Sequence, residues 1–181
     1  MKTTVVERLH NEFNDLLQLL EKTDEISLKS MAEDNFRKVL LLASASYFER
    51  VVTDDVISFV DEISSSNPLI VSFLKNKAIK RQYHTWFNWE DKNANQFYGL
   101  FGSEYFDFMK NKIKNSSDLE NAVRSFLELG RERNRLVHQD FATFSLEKTS
   151  LEIFSLFQKA TFFVEYIPLS FKEFLASQSE I

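Results

Sequence analysis

Three glycines and two prolines in 181 residues leave this chain almost without the residues that interrupt regular backbone. Within a helix, Gly costs about 1 kcal/mol and Pro about 3 kcal/mol relative to Ala, so long unbroken helices are the expectation. Apolar side chains are plentiful enough to pack them: 44% of residues are hydrophobic, and Phe alone supplies 19. A chain of this kind buries a sizeable core and is not disordered. Its length fits a single domain over residues 1–181.

Apolar spacing of three and four residues runs through most of the sequence, and no strand-like alternation competes with it. Val6, Leu9, Phe13, Leu16, Leu17 and Leu20 predict a helix over residues 3–22, with His10 on its solvent face. A second helix is predicted over 28–52, capped by Ser27 or Ser30, with a continuation over 54–64. Ala43-Ser44-Ala45-Ser46 gives it a small-residue patch where another helix can approach. Ser64 to Pro68 reads as a turn, with Pro68 in the first turn of a helix over 69–80. Asn93 to Asn95, Gly99 and Gly102 suggest irregular backbone, followed by a short helix over 103–112. Ser117-Asp118-Leu119-Glu120 has the spacing of a capping box, opening a helix that runs into an Arg-rich segment. Thr149-Ser150-Leu151-Glu152 has it too, opening a last long helix that ends near Pro168, with a short helix over 170–177. The predicted fold class is all-α: an antiparallel bundle of four to five longer helices plus short helices.

Several function classes fall away. There is no cysteine, which excludes disulfides and thiolate metal sites. The three histidines are far apart and no HxxxH or HxH pattern occurs, so no metal site is expected. No Gly-rich phosphate loop is present, and no cofactor is expected. Charge interrupts the first apolar stretch, unlike a signal peptide, and the apolar runs are too short for a bilayer. A cytoplasmic protein without membrane contact is therefore expected. The net charge of −5 disfavours indiscriminate coating of nucleic acid. Yet residues 71–140 hold 12 Lys/Arg against 9 Asp/Glu, a local excess of three positive charges.

The segment from Leu127 to Phe141 combines Arg131, Arg133, Arg135 and His138 with the apolar anchors Leu129, Leu136, Val137 and Phe141. Five residues separate Arg133 from His138, about 140° around a straight helix, so the helix is predicted to bend or end near Val137. These side chains suit phosphodiester cleavage in RNA. One proton leaves the ribose 2′-hydroxyl, another reaches the departing 5′-oxygen, and positive charge stabilises the phosphorane. Imidazole titrates near neutrality and serves either proton; guanidinium stays cationic and grips two phosphate oxygens. One such His leaves the acid–base pair incomplete, and a two-fold homodimer built around this region supplies the second.

Arg133-Asn134-Arg135-Leu136-Val137-His138 matches the signature of the HEPN superfamily: Arg, a polar residue that is often Asn, a few more residues, then His. The stretches LASASYFER (42–50), YHTWFNW (83–89), FYGLFG (97–102) and LGRERNRLVHQDF (129–141) resemble the RiboL-PSP-HEPN group within it. The resemblance implies a metal-independent endoribonuclease that acts as a dimer and leaves a 2′,3′-cyclic phosphate and a 5′-hydroxyl. It also implies a role in toxin–antitoxin pairs or antiphage defence, with an antitoxin or a nucleotidyltransferase as the partner. Carried onto this chain, Arg133 and His138 are the catalytic pair and Asn134 orients one of them or the phosphate. Some HEPN toxins carry a Tyr two residues after the His as the site of nucleotidyl transfer; position 140 here is Asp. The competing reading is a non-catalytic HEPN scaffold or regulatory partner that binds RNA or protein.

Other candidates have two readings each. Arg131 and Arg135 either touch RNA backbone or pair with Glu128 and Glu132. Lys80 and Arg81 adjoin Tyr83, His84, Trp86 and Trp89, which either stack bases or pack in a core or dimer interface. His84 is a candidate second acid–base group, and Glu49 a candidate support for an arginine of the 131–135 segment.

Overall fold

The computed structural model describes residues 3–141 and 143–179. Helices follow one another as α1 (Val5–Lys22), α2 (Ile26–Ile63), α3 (Pro68–Leu74), a π-helical turn (Lys75–Ile79), α4 (Tyr83–Trp86), α5 (Asn95–Gly99), α6 (Ser103–Lys114), α7 (Ser117–Val137) and α8 (Ser150–Gln178). No strand occurs among the described residues, and the fold is all-α as the spacing predicts.

The scarcity of breakers has a larger effect than the periodicity suggests. The two helices expected over 28–64 are one continuous helix of 38 residues, about 57 Å long. Neither Ser27 nor Ser30 caps it; Glu25 stands at the N-cap without a side-chain bond. Pro168 does not end the last helix but lies inside α8. A proline removes one ladder bond, here the one that Val164 would otherwise accept. Packing beyond it carries the helix on. Phe171 stacks on Phe59 at 4.2 Å, and Ser170 receives the Tyr105 hydroxyl at 2.6 Å while donating to the Ile167 carbonyl. At the other end the predicted capping box is present, with Thr149 and Glu152 satisfying each other's amides. In α7 the cap is Ser116, one residue before the predicted Ser117. The stretch expected to be irregular folds into α5 because Ala94, Phe97 and Tyr98 are all fully buried.

His10 is the clearest departure. Its residue type points to a polar surface, but it is buried, and its ring stacks on Phe154 of α8 at 3.8 Å with the planes 1° apart. Its spacing from Val6 and Phe13, four residues and three, places it on the apolar stripe of α1. Burial pulls its pKa below the ordinary imidazole value.

The core centres on α7. Phe126 meets Phe48 of α2 at 5.7 Å, Phe163 of α8 at 5.2 Å and Phe87, just after α4, at 4.9 Å. Aromatic pairs at these separations contribute about 0.5–1.5 kcal/mol each beyond area burial. One residue thus ties three elements to the helix that carries the arginines.

Candidate active site

Ser116 accepts the Leu119 amide, and Asp118 and Glu120 sit in the first turn of α7, where carboxylates favour the helix dipole. Leu119, Val123, Phe126, Leu129 and Leu136 then bury one face down its length. The predicted anchors Leu129 and Leu136 are fully buried, but Val137 and Phe141 are exposed. The helix ends at Val137 as predicted, with His138 as its C-cap and the His138 amide bonded to the Asn134 carbonyl.

The three arginines do not share one environment. Glu132 is buried and accepts two bonds from Arg135 at 3.1 and 3.2 Å, while the Arg131 Nε lies 4.0 Å away. Arg131 and Arg135 are both committed to that carboxylate. Arg133, half-buried between them in sequence, makes no ion pair among the described residues. Its Nη1 donates to the Asn134 Oδ1 at 3.2 Å, and that is the bond the structure gives it.

Arg133 and Asn134 form one wall of a cleft of about 180 Å³; Ala45 and Glu49 of α2 and Tyr83 and His84 of α4 face them. Two small residues leave room for it. Ala45 belongs to the predicted small-residue patch. Gly130 lets the Trp89 ring lie directly on the helix, since a Cβ there would fall 2.0 Å from a ring carbon. Trp89 is fixed further by donating its indole N–H to the His84 carbonyl at 3.1 Å. The Tyr83 hydroxyl is held well above its ordinary pKa, first by burial and then by Glu49, with Arg133 opposing. Its side chain shares the cleft with an acid, Glu49, and a cation, Arg133.

Glu49 shares the cleft with Arg133 without pairing to it. His84 shares it too, with its side chain open to solvent. His138 does not line the cleft: it stands at the end of α7, exposed, its ring without a hydrogen-bond partner among the described residues. Lys80 and Arg81 are exposed and lie outside the cleft walls. Trp86 and Phe87 are core residues, and the Trp86 indole donates to the Ala78 carbonyl at 3.1 Å. Tyr83 is also buried, and only Trp89 and His84 of the aromatic stretch line the cleft with a partly open face. The sequence offers Tyr83 only within the aromatic stretch that either stacks bases or packs in a core, and does not mark Gly130 as a cleft residue. A lone glycine inside an amphipathic helix is the signal that a bulky neighbour crosses there.

Among the described residues no three His, Asp or Glu side chains gather as a metal site, and no helix is long and apolar enough to cross a membrane. A family model described as RiboL-PSP-HEPN matches residues 7–173 of this chain. No curated protein and no solved structure matches it.

Proposed function

The chain belongs to the RiboL-PSP-HEPN family, and from that premise we propose that it is a metal-independent endoribonuclease, active as a homodimer, with Arg133 and His138 as its catalytic pair. The observation that carries this reading is the state of Arg133. A half-buried guanidinium in a cleft, free of carboxylate partners while its two neighbours share Glu132, is a preformed site for a phosphate. Asn134 orients it. His138 of each protomer stands past the end of α7, outside its own cleft, and a two-fold axis at this end of the helix brings two imidazoles and two guanidiniums together. One imidazole takes the proton of the ribose 2′-hydroxyl, whose oxygen attacks phosphorus. The bond to the 5′-oxygen breaks, the second imidazole protonates that oxygen, and a 2′,3′-cyclic phosphate and a 5′-hydroxyl result. Glu49 supports the cleft from α2, and Arg131, Arg135, Lys80 and Arg81 add attraction for the RNA backbone. An RNase of this kind suits a toxin or antiphage-defence role in the cytoplasm, restrained by an antitoxin or another partner.

The test is cleavage of total and transfer RNA by the wild type and by His138→Ala, with and without EDTA. Wild-type cleavage that resists EDTA and is lost in the variant is expected. Equal cleavage by both proteins, or dependence on a divalent metal, overturns the assignment. A second reading, a non-catalytic scaffold, draws on the position of His138 outside the cleft. Growth after induced expression separates the two, since an unrestrained RNase arrests it and a scaffold does not.

A further inference from the structure

Lys38 of α2 is 3% exposed. A lysine is almost never buried to that degree unless paired, because desolvating an ammonium costs several kcal/mol. Its nearest carboxylate, Asp34 at 3.7 Å, is itself half-exposed and also serves Arg37. The direct hydrogen bond goes elsewhere: the Lys38 Nζ donates to the Phe141 carbonyl at 3.0 Å, and the same nitrogen lies 5.3 Å from the centre of the Phe141 ring. Beside it in sequence, Arg37 donates to the Leu146 carbonyl at 2.9 Å. Both acceptors belong to the connector between α7 and α8, which contains no helix or strand among its described residues and begins at His138.

We propose that Lys38 is a positioning residue for His138, anchoring the Phe141 carbonyl three residues downstream so that the imidazole is held where the end of α7 delivers it. The His138 ring has no bond of its own among the described residues, so its place is set by backbone alone. On one side the His138 amide is tied to Asn134 at 3.1 Å. On the other, Phe141 is exposed, and the bond from Lys38 to its carbonyl is the tie from α2 to the connector that falls nearest His138, with Arg37 holding the Leu146 carbonyl further along. A leucine or methionine at position 38 would satisfy the core at least as well. Its register fits the buried face, three residues before Leu41 and ten before Phe48. The charge is explained by the carbonyl it holds.

The activity arm of the test rests on the nuclease reading; a second arm does not. In Lys38→Met, folding is checked by helical circular dichroism. RNA cleavage is resolved into kcat and KM, and the His138 imidazole is followed by two-dimensional NMR. The expected result is a kcat lowered by as much as about a hundredfold, the scale of an ångström-sized misplacement, with KM unchanged and the His138 signals shifted. A folded variant with wild-type kcat and unmoved His138 signals overturns the proposal, as does a rise in KM alone, which would mean the charge attracts RNA. If Lys38→Met does not fold, Lys38→Gln, whose side chain is one atom shorter and reaches less far toward the Phe141 carbonyl, is measured by the same two readouts: a lowered kcat with shifted His138 signals supports the proposal, and unchanged values overturn it. If the wild type fails to cleave RNA while His138 still shifts in the variant, the nuclease reading falls and the positioning role stands.

Discussion

Lys75, Lys77, Lys80 and Arg81 follow α3, a helix that buries none of its residues and turns Leu69, Ile70 and Phe73 to solvent, whereas Arg131, Arg133 and Arg135 ride on α7 between the fully buried Leu129 and Leu136. The first group is exposed and makes no ion pair among the described residues. It is flanked by left-handed backbone at Ser65, Ser66 and Arg81 and runs through a π-helical turn. In the second group Glu132 takes two of the three arginines and leaves the third facing a cleft. Both groups attract phosphate. Only the second holds a cation fixed in a cleft, and on the proposed nuclease reading that is what stabilising charge in a transition state requires.

Removing the cation that distinguishes the two groups should have the largest effect. Arg133→Ala is expected to lower RNA cleavage by about a hundredfold to a thousandfold, the usual consequence of losing one aimed donor. Arg131→Ala should cost far less; equal losses in single-turnover assays would erase the difference between the two arginines. Next comes the wall of the cleft. Gly130→Ala pushes a methyl group into the Trp89 ring, and overpacking of this type costs about 1–3 kcal/mol. It should appear as a lower Tm and altered tryptophan fluorescence, and an unchanged Tm would mean that the ring does not lie against the helix. For the exposed group, replacing Lys75, Lys77, Lys80 and Arg81 together by Gln should weaken RNA binding and leave kcat intact. The slope of log affinity against log salt should flatten by about 0.7 for each phosphate no longer neutralised. A fall in kcat would put this group in the active site. The smallest effect concerns acid. His10 has a folded-state pKa below its ordinary value of 6.5, so its contribution is complete above 6.5 and declines as the pH falls below it, because the unfolded chain takes up the proton first. Tm measured across that range should sag in acid for the wild type and less for His10→Phe, which keeps the stacking on Phe154.

The Arg-rich segment is legible in the sequence because its signals are local: three arginines and a histidine at fixed spacing, in a helix whose end near Val137 follows from the five-residue step between Arg133 and His138. Fold class is legible for the same reason, since three-and-four periodicity with few breakers allows little besides helices. Helix ends are less so. Pro168 and Ser117 carry true local preferences, but the packing of Phe171 on Phe59 and the cap at Ser116 outweigh them. The burial of His10 and Lys38 is hidden because a polar side chain at an apolar register looks solvent-facing by its type alone. The partners that permit it lie far along the chain: Phe154 for one, the Phe141 carbonyl for the other.

By itself the sequence determined that this protein is helical, that its positive charge gathers in the middle, and that Arg133, Asn134 and His138 follow one another closely along the chain near the end of one helix. Those are properties of neighbours along the backbone. The pairing of Arg131 and Arg135 with Glu132 is likewise local to α7, whereas which glycine makes room for a tryptophan, and which lysine ties down the connector after His138, were decided by tertiary structure alone. Each depends on how side chains from separate elements pack, and only the assembled core brings Trp89 to Gly130 or Lys38 to the Phe141 carbonyl.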